Sequence, residues 1–218
     1  MITEIEKARA LKIIVSSAEL YNENLNGHNL LILCKNDKSI CHYTMAFQEQ
    51  NFLHLTGMIP DSKKMTSFDF YRRCINRKLS TNDFKYKSEH TTKLKLDVLT
   101  QAMEIHKKAR NIGEYGNTGL NLFSEILAGT ENFAMGFIIG DEEGRFYPNT
   151  VVKEDIRELL AKERKFPIIA ILRKSFKDEL YNEITYLSIN INRNKLKYDI
   201  SILNSIEPIL HVELVKND

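Results

Sequence analysis

A chain of 218 residues with 43% apolar and 28% charged side chains is long enough to bury one substantial core, and that make-up excludes disorder as the default state. No apolar run approaches the ~20 residues of a membrane span, and the opening MITEIEKARALKIIVSSAEL lacks the basic-then-apolar order of a secretory leader, so no membrane association and a cytoplasmic protein are expected. The net charge of +2 conceals a basic middle: residues 61–110 carry 13 Lys/Arg against 6 Asp/Glu, a segment that attracts phosphate unless it is only a solvated face.

Thr3 and Glu6 have the spacing of a capping box, and Ile5, Ala8, Leu11, Val15 and Ala18 recur at helical intervals, which predicts a helix over 4–24. NLLILCK and ICHYTMAF, separated by NDKS, read as a β-hairpin. The cysteines inside this hairpin, Cys34 and Cys41, together with Cys74, show neither metal-ligand pairing nor a disulfide framework, which suits a reducing compartment. NFLHLTG reads as a further strand ended by Gly57, with Phe52, His54 and Thr56 on one face and Leu53 and Leu55 on the other.

A helix is predicted over Phe68–Leu79 with Ser67 as its cap, and a longer one over Thr92–Arg110. TGLNLFSEILAG reads as a short helix. FAMGFIIG turns through DEEG into RFYPNTVV as a second hairpin, and KEDIRELLAKER reads as a short charged helix. The tail holds four strand-like runs, FPIIAILRK, EITYLSINI, LKYDISIL and PILHVELVK. The expected fold is α+β, with helices packed on an antiparallel sheet, as a single domain over 1–218 with a β-rich extension at 166–218.

No Gly-rich phosphate loop, HExxH, CxxC pair or GxSxG is present, so no cofactor and no metal are expected. What stands out is His54 within the apolar run Phe52–Leu55. Either it is a packing residue with one satisfied hydrogen bond, or it is a titrating group presented at a strand end. RNA can be cleaved with a base for the 2′-OH proton, an acid for the leaving 5′-oxygen and a cation for the charged phosphorane. Histidine suits either proton role, and Arg or Lys the third. His54 with Arg72, Arg73 and Lys63 meets this minimum.

FLHLTG, FYRRCINRKL, the long Lys/Leu helix and FYPNTVV together make the chain resemble, over roughly residues 1–175, the phage- and mobile-element-associated barnase/EndoU/colicin/RelE-like nucleases, the fourth group of that name. The resemblance implies an N-terminal helix on a four-stranded antiparallel sheet and a metal-independent endoribonuclease with toxin-like biology. It carries the family's histidine onto His54 and its threonine onto Thr56. Tyr71 and Tyr147 match its aromatic positions, and Asn149 and Thr150 its polar positions after the proline. No carboxylate base is assigned.

The expected site is therefore His54, Thr56, Arg72 and Arg73 for catalysis, with Tyr71, Lys63, Lys93, Lys95, Tyr147 and Asn149 binding RNA. Each has a blander reading. Thr56 is an ordinary strand-to-turn residue, Arg72, Arg73, Lys93 and Lys95 are wet helix faces, Tyr71 lies in a core row, and Asn149 is favoured by its turn. The alternatives from another class are a non-catalytic interaction protein, such as a phage-encoded inhibitor of a host or defence protein or a partner of an antitoxin, with tail strands offering an edge for pairing, or an RNA-binding module on the same scaffold.

Overall fold

Thr3 caps the first helix as its spacing predicts: its hydroxyl accepts from the Glu6 amide at 3.2 Å, and the Glu6 carboxylate accepts from the Thr3 amide at 2.9 Å. The computed structural model describes residues 3–37, 39–61, 65–87, 91–116, 120 and 122–215. Helix α1, Glu4–Asn24, buries Ala10, Ile14, Ala18 and Tyr21 along one stripe. Strands β1, His28–Asn36, and β2, Ser39–Phe47, form the expected hairpin. Their register sets Cys34 directly opposite Cys41, with Cα atoms 5.2 Å apart, and the two are disulfide-bonded. This corrects the expectation of no disulfide, because a seven-residue separation becomes a cross-strand pair once the hairpin closes. The cysteines therefore no longer speak for a reducing compartment.

The stretch around His54 is a helix, α2, Asn51–Thr56, and not a strand. A strand would bury one alternate set; here Phe52, Leu53, Leu55 and Thr56 are all buried and His54 points outward. The Asn51 side chain starts the turn by accepting from the Gln48 amide at 2.9 Å, and Gly57 ends it in the left-handed region at φ 69°. Strand β3, Met58–Pro60, pairs with β4, Phe84–Tyr86, in a separate small ribbon. Between them α3, Ser67–Ile75, is capped by Thr66, one residue before the expected Ser67, through a second capping box with Asp69. The predicted long helix divides into α4, Thr91–Ala102, and α5, Ile105–Lys108, and α5 turns back onto the sheet.

The remaining strands are β5, Asn111–Tyr115, β6, Ile126–Gly129, β7, Ala134–Ile139, β8, Phe146–Val152, β9, Leu160–Ser175, and β10, Glu183–Leu187. Among the described residues, seven strands close a ring in the order β1-β2-β8-β7-β6-β5-β9 and back to β1, with β10 added on β9. The sheet is thus a barrel and not the simple antiparallel sheet expected, and its β2–β8 contact, Met45 with Phe146, is parallel. Closure depends on the length of β9, whose first half pairs with β5 and whose second half pairs with β1. Closing the ring leaves β1 and β5 with no unpaired edge.

Three more expectations change. In TGLNLFSEILAG, Ile126–Gly129 is strand β6, while residues 118, 119 and 121 lie outside the described ones. In KEDIRELLAKER only α6, Ile156–Leu159, is helical before β9 begins. The last two tail runs are helices: α7, Ile200–Asn204, starts at Asp199, whose carboxylate accepts from the Ser201 amide at 2.9 Å, and α8, Pro208–Val215, starts at a proline suited to a first helical turn. The extension therefore combines strands, the second half of β9 and β10, with the helices α7 and α8. Among the described residues no helix is long and apolar enough to cross a membrane.

The main core joins one face of the barrel, including Ile32, Phe47, Met135 and Phe137, to helices α1–α4. At its centre the rings of Tyr21, Phe52 and Tyr71 lie 5.3–5.8 Å apart, contacts worth about 0.5–1.5 kcal/mol per pair beyond their buried area. This cluster holds α2 against α1 and α3, and so fixes the direction in which His54 faces.

Candidate active site

Gly57, just past α2, does two things for the site. Its left-handed backbone turns the chain into β3, and the missing side chain leaves room for the stem of Lys95, whose Cδ would lie 2.9 Å from a Cβ there. Its carbonyl also accepts from the Thr92 hydroxyl at 2.8 Å, which ties the first turn of α4 to the end of α2. The same hydroxyl accepts from the Lys87 amide at 3.2 Å, bringing the segment after β4 to this point. Lys95 then donates to the Thr150 hydroxyl on β8 at 2.7 Å and reaches the His54 carbonyl at 3.5 Å.

His54 is solvent-exposed on α2, yet its pKa lies below the ordinary 6.5. Partial desolvation by the surrounding wall is the main cause, and the like charges of Lys87 and Lys95 add to it. The ring is therefore neutral at pH 7, the form able to accept a proton. Lys87 and Lys95 also line a groove of about 520 Å³ between α4 and β8, with Lys153 and Glu154 among its other charged lining and Leu94, Leu120 and Leu122 on its apolar side; His54 itself is not part of that lining. Lys153 pairs with Asp97 at 2.9 Å. Among the described residues the Lys87 ammonium has no ion pair. Such a volume suits a nucleotide-sized ligand.

The other predicted residues lie in several places. Thr56 is buried, its hydroxyl donating to the Leu53 carbonyl at 2.7 Å and accepting from the Met58 amide at 3.1 Å, so it secures the end of α2. Arg72 and Arg73 line a different groove on α3, where they pair with Glu49 at 2.8 Å and Asp83 at 2.9 Å. Tyr71 is in the core, and its hydroxyl donates to Asn22 at 2.9 Å; burial raises its pKa. Lys93 pairs with Glu6 at 2.5 Å and holds that carboxyl down at about 2.

Tyr147 donates to Asp141 at 2.8 Å at the β7–β8 turn, where Asp141 also takes Arg145 at 2.7 Å. Asn149 accepts from the Ser124 hydroxyl at 2.9 Å, next to Thr150 in the chain. Lys63 lies outside the described residues. Of the predicted set, then, the structure brings Lys95 to the His54 carbonyl and sets Asn149 one residue from Thr150, the partner of Lys95. Lys87, Thr92 and Lys153 were not singled out, since none carries a local motif. Among the described residues no three His, Cys, Asp or Glu side chains cluster as a metal ion would need.

A family model described as phage-Barnase-EndoU-ColicinE5/D-RelE like nuclease4 matches residues 13–190. Neither a curated protein nor a solved structure matches the chain.

Proposed function

Because the chain belongs to the phage-Barnase-EndoU-ColicinE5/D-RelE like nuclease4 family, we propose that it is an endoribonuclease that cuts RNA by attack of a 2′-OH on the adjacent phosphodiester. The observation that carries this is an exposed histidine, neutral at pH 7, that feels the charges of Lys87 and Lys95, two lysines lining a nucleotide-sized groove. His54 takes the proton from the 2′-OH as the oxygen forms its bond to phosphorus. The bond from phosphorus to the 5′-oxygen breaks, and that oxygen leaves with a proton from water in the open groove. Lys87 and Lys95 face the extra negative charge of the phosphorane, and Thr150 holds Lys95 in place. In this scheme the cationic role falls to these lysines, while Arg72 and Arg73 keep their ion pairs on α3.

The base and the charge stabilisation come from side chains and the leaving oxygen's proton from water, so the scheme needs no metal. An RNA substrate sets the protein's work in the cytoplasm of a phage-infected or element-bearing host. Incubating the protein with mixed cellular RNA in EDTA is expected to leave 2′,3′-cyclic phosphates at the new 3′ ends. Intact RNA at high protein concentration, or 3′-hydroxyl ends, sinks the proposal.

A second reading, a non-catalytic interaction protein, has one observation in its favour. Ile209, Val212 and Val215 are exposed on α8 at helical spacing. It predicts no RNA affinity, whereas phosphate contacts make affinity fall steeply with added salt.

A further inference from the structure

The ribbon of β3 and β4 stops one rung short at its α2 end. Its pairs are Met58 with Tyr86, Ile59 with Lys85 and Pro60 with Phe84, and past the far end the Asp61 amide donates to the Asp83 carbonyl at 2.9 Å. Facing residues of an antiparallel ladder exchange hydrogen bonds at every second position. With Asp61 bonded to Asp83, the bonded positions continue at Ile59 with Lys85 and then at Gly57 with Lys87. At this last position the Thr92 hydroxyl stands between the two backbones: the Lys87 amide donates to it at 3.2 Å, and it donates to the Gly57 carbonyl at 2.8 Å. A buried side chain of α4 thus replaces one direct backbone rung by a relay of two bonds. Gly57 leaves room for this, since a Cβ there would lie 3.4 Å from the Thr92 Cα.

We infer that Thr92 is a positioning residue, a wedge in the ribbon end that places Lys87 in the groove lining together with Lys95. The inference rests on the nuclease reading, in which these two lysines face the phosphorane, and adds a residue to that machinery. A direct rung would bring the Lys87 nitrogen to about 2.9 Å from the Gly57 oxygen, so loss of the interposed hydroxyl lets Lys87 shift toward the end of α2. His54 reports where Lys87 stands, because the charges that act on its ring are those of Lys87 and Lys95. The other elements packed against α2 bring groups that are already engaged. On β8, Tyr147 donates to Asp141; on α3, Asp69, Arg72 and Arg73 are bonded to Thr66, Glu49 and Asp83, with Tyr71 and Cys74 in the core; α1 meets α2 through the buried Tyr21.

The test follows the His54 imidazole by proton NMR across pH in the wild type, Lys87→Gln, Thr92→Val, Thr92→Ser and the Lys87→Gln/Thr92→Val double variant, and needs no RNA. Thr92→Val fills the same space without a hydroxyl. It is expected to raise the titration midpoint from below 6.5 toward that of Lys87→Gln, and Thr92→Ser to keep the wild-type midpoint. In the Lys87→Gln background Thr92→Val is expected to add no further shift, because its effect runs through Lys87. An unchanged midpoint in Thr92→Val, a Thr92→Ser that behaves like Thr92→Val, or a further rise in the double variant overturns the inference. So does fast hydrogen exchange at the Lys87 amide of the wild type, a reading that decides the matter even where Thr92→Val does not fold. Cleavage of RNA keeps the two claims apart, with kcat/KM of Thr92→Val expected to fall roughly 10–100-fold at pH 7. If wild type and Thr92→Val cut equally well, the nuclease reading stands and the positioning role falls. If the titrations follow the expected pattern and RNA stays intact, the positioning of Lys87 by Thr92 stands and the nuclease reading falls.

Discussion

Replacing His54 by alanine is expected to lower the rate of RNA cleavage by about 10²–10⁴, the usual contribution of a positioned general base. At ~1.4 kcal/mol per factor of ten, that is roughly 3–5 kcal/mol of transition-state stabilisation. The fold is expected to survive, because His54 is the outward position of α2 while Phe52, Leu53 and Leu55 hold that helix to the core. RNA binding is expected to change little, since the imidazole is neutral at pH 7 and the phosphate contacts belong to lysines. The variant should therefore lose kcat with KM nearly unchanged. A His54→Ala protein that cuts at the wild-type rate removes His54 from the mechanism.

The second large effect concerns stability and lies at His106, on α5. This histidine is fully buried, and among the described residues neither ring nitrogen has a hydrogen-bond partner. Its backbone carbonyl accepts from the Thr185 hydroxyl at 2.7 Å, which docks α5 on β10. Burial first, then the charges of Arg173 and Lys107, with a smaller part from His28, hold its pKa down at about 4 against a partial counter-pull from Glu104. The unfolded chain titrates near 6.5 and so binds more protons than the folded one between these values. Stability is complete above pH 6.5 and is lost as the pH falls toward 4, by about 3 kcal/mol in order of magnitude. His106→Leu removes the titrating ring and two unsatisfied nitrogens while keeping an apolar filling. Urea unfolding at pH 7 and pH 4.5 is expected to show a smaller loss in the variant than in the wild type; equal losses would clear His106 of the effect.

Elements whose signals are local were legible in the sequence. The Thr3–Glu6 capping box and the two hairpins announce themselves within ten or twenty residues. The stretch around His54 was misread because six residues are too few to separate a period of 2 from one of 3.6. Its oddity was still a true signal: a histidine in an apolar run is the one exposed position of a short buried helix. PILHVELVK was misread for the same reason, its β-branched residues favouring a strand while Pro208 starts a helix. The closure of the barrel was not legible, since it joins β1 to β9 across more than a hundred residues. The same holds for the site: Lys95 meets Thr150 over 55 positions, and no spacing rule links them. Arg72 and Arg73 looked equal to Lys95 in the sequence, and only the positions of Glu49 and Asp83 divert them.

The measurement that bears most directly on the central claim, that neutral His54 beside Lys87 and Lys95 takes the substrate proton, is the pH dependence of kcat/KM for wild type and Lys87→Gln. A general base must be unprotonated, so the rate falls on the acid side with a midpoint at the pKa of His54 in the free enzyme. The expected wild-type midpoint lies below 6.5, and removing one of the two like charges is expected to move it upward toward that value. A midpoint at or above 6.5 in the wild type, or one that does not move in Lys87→Gln, would contradict the account.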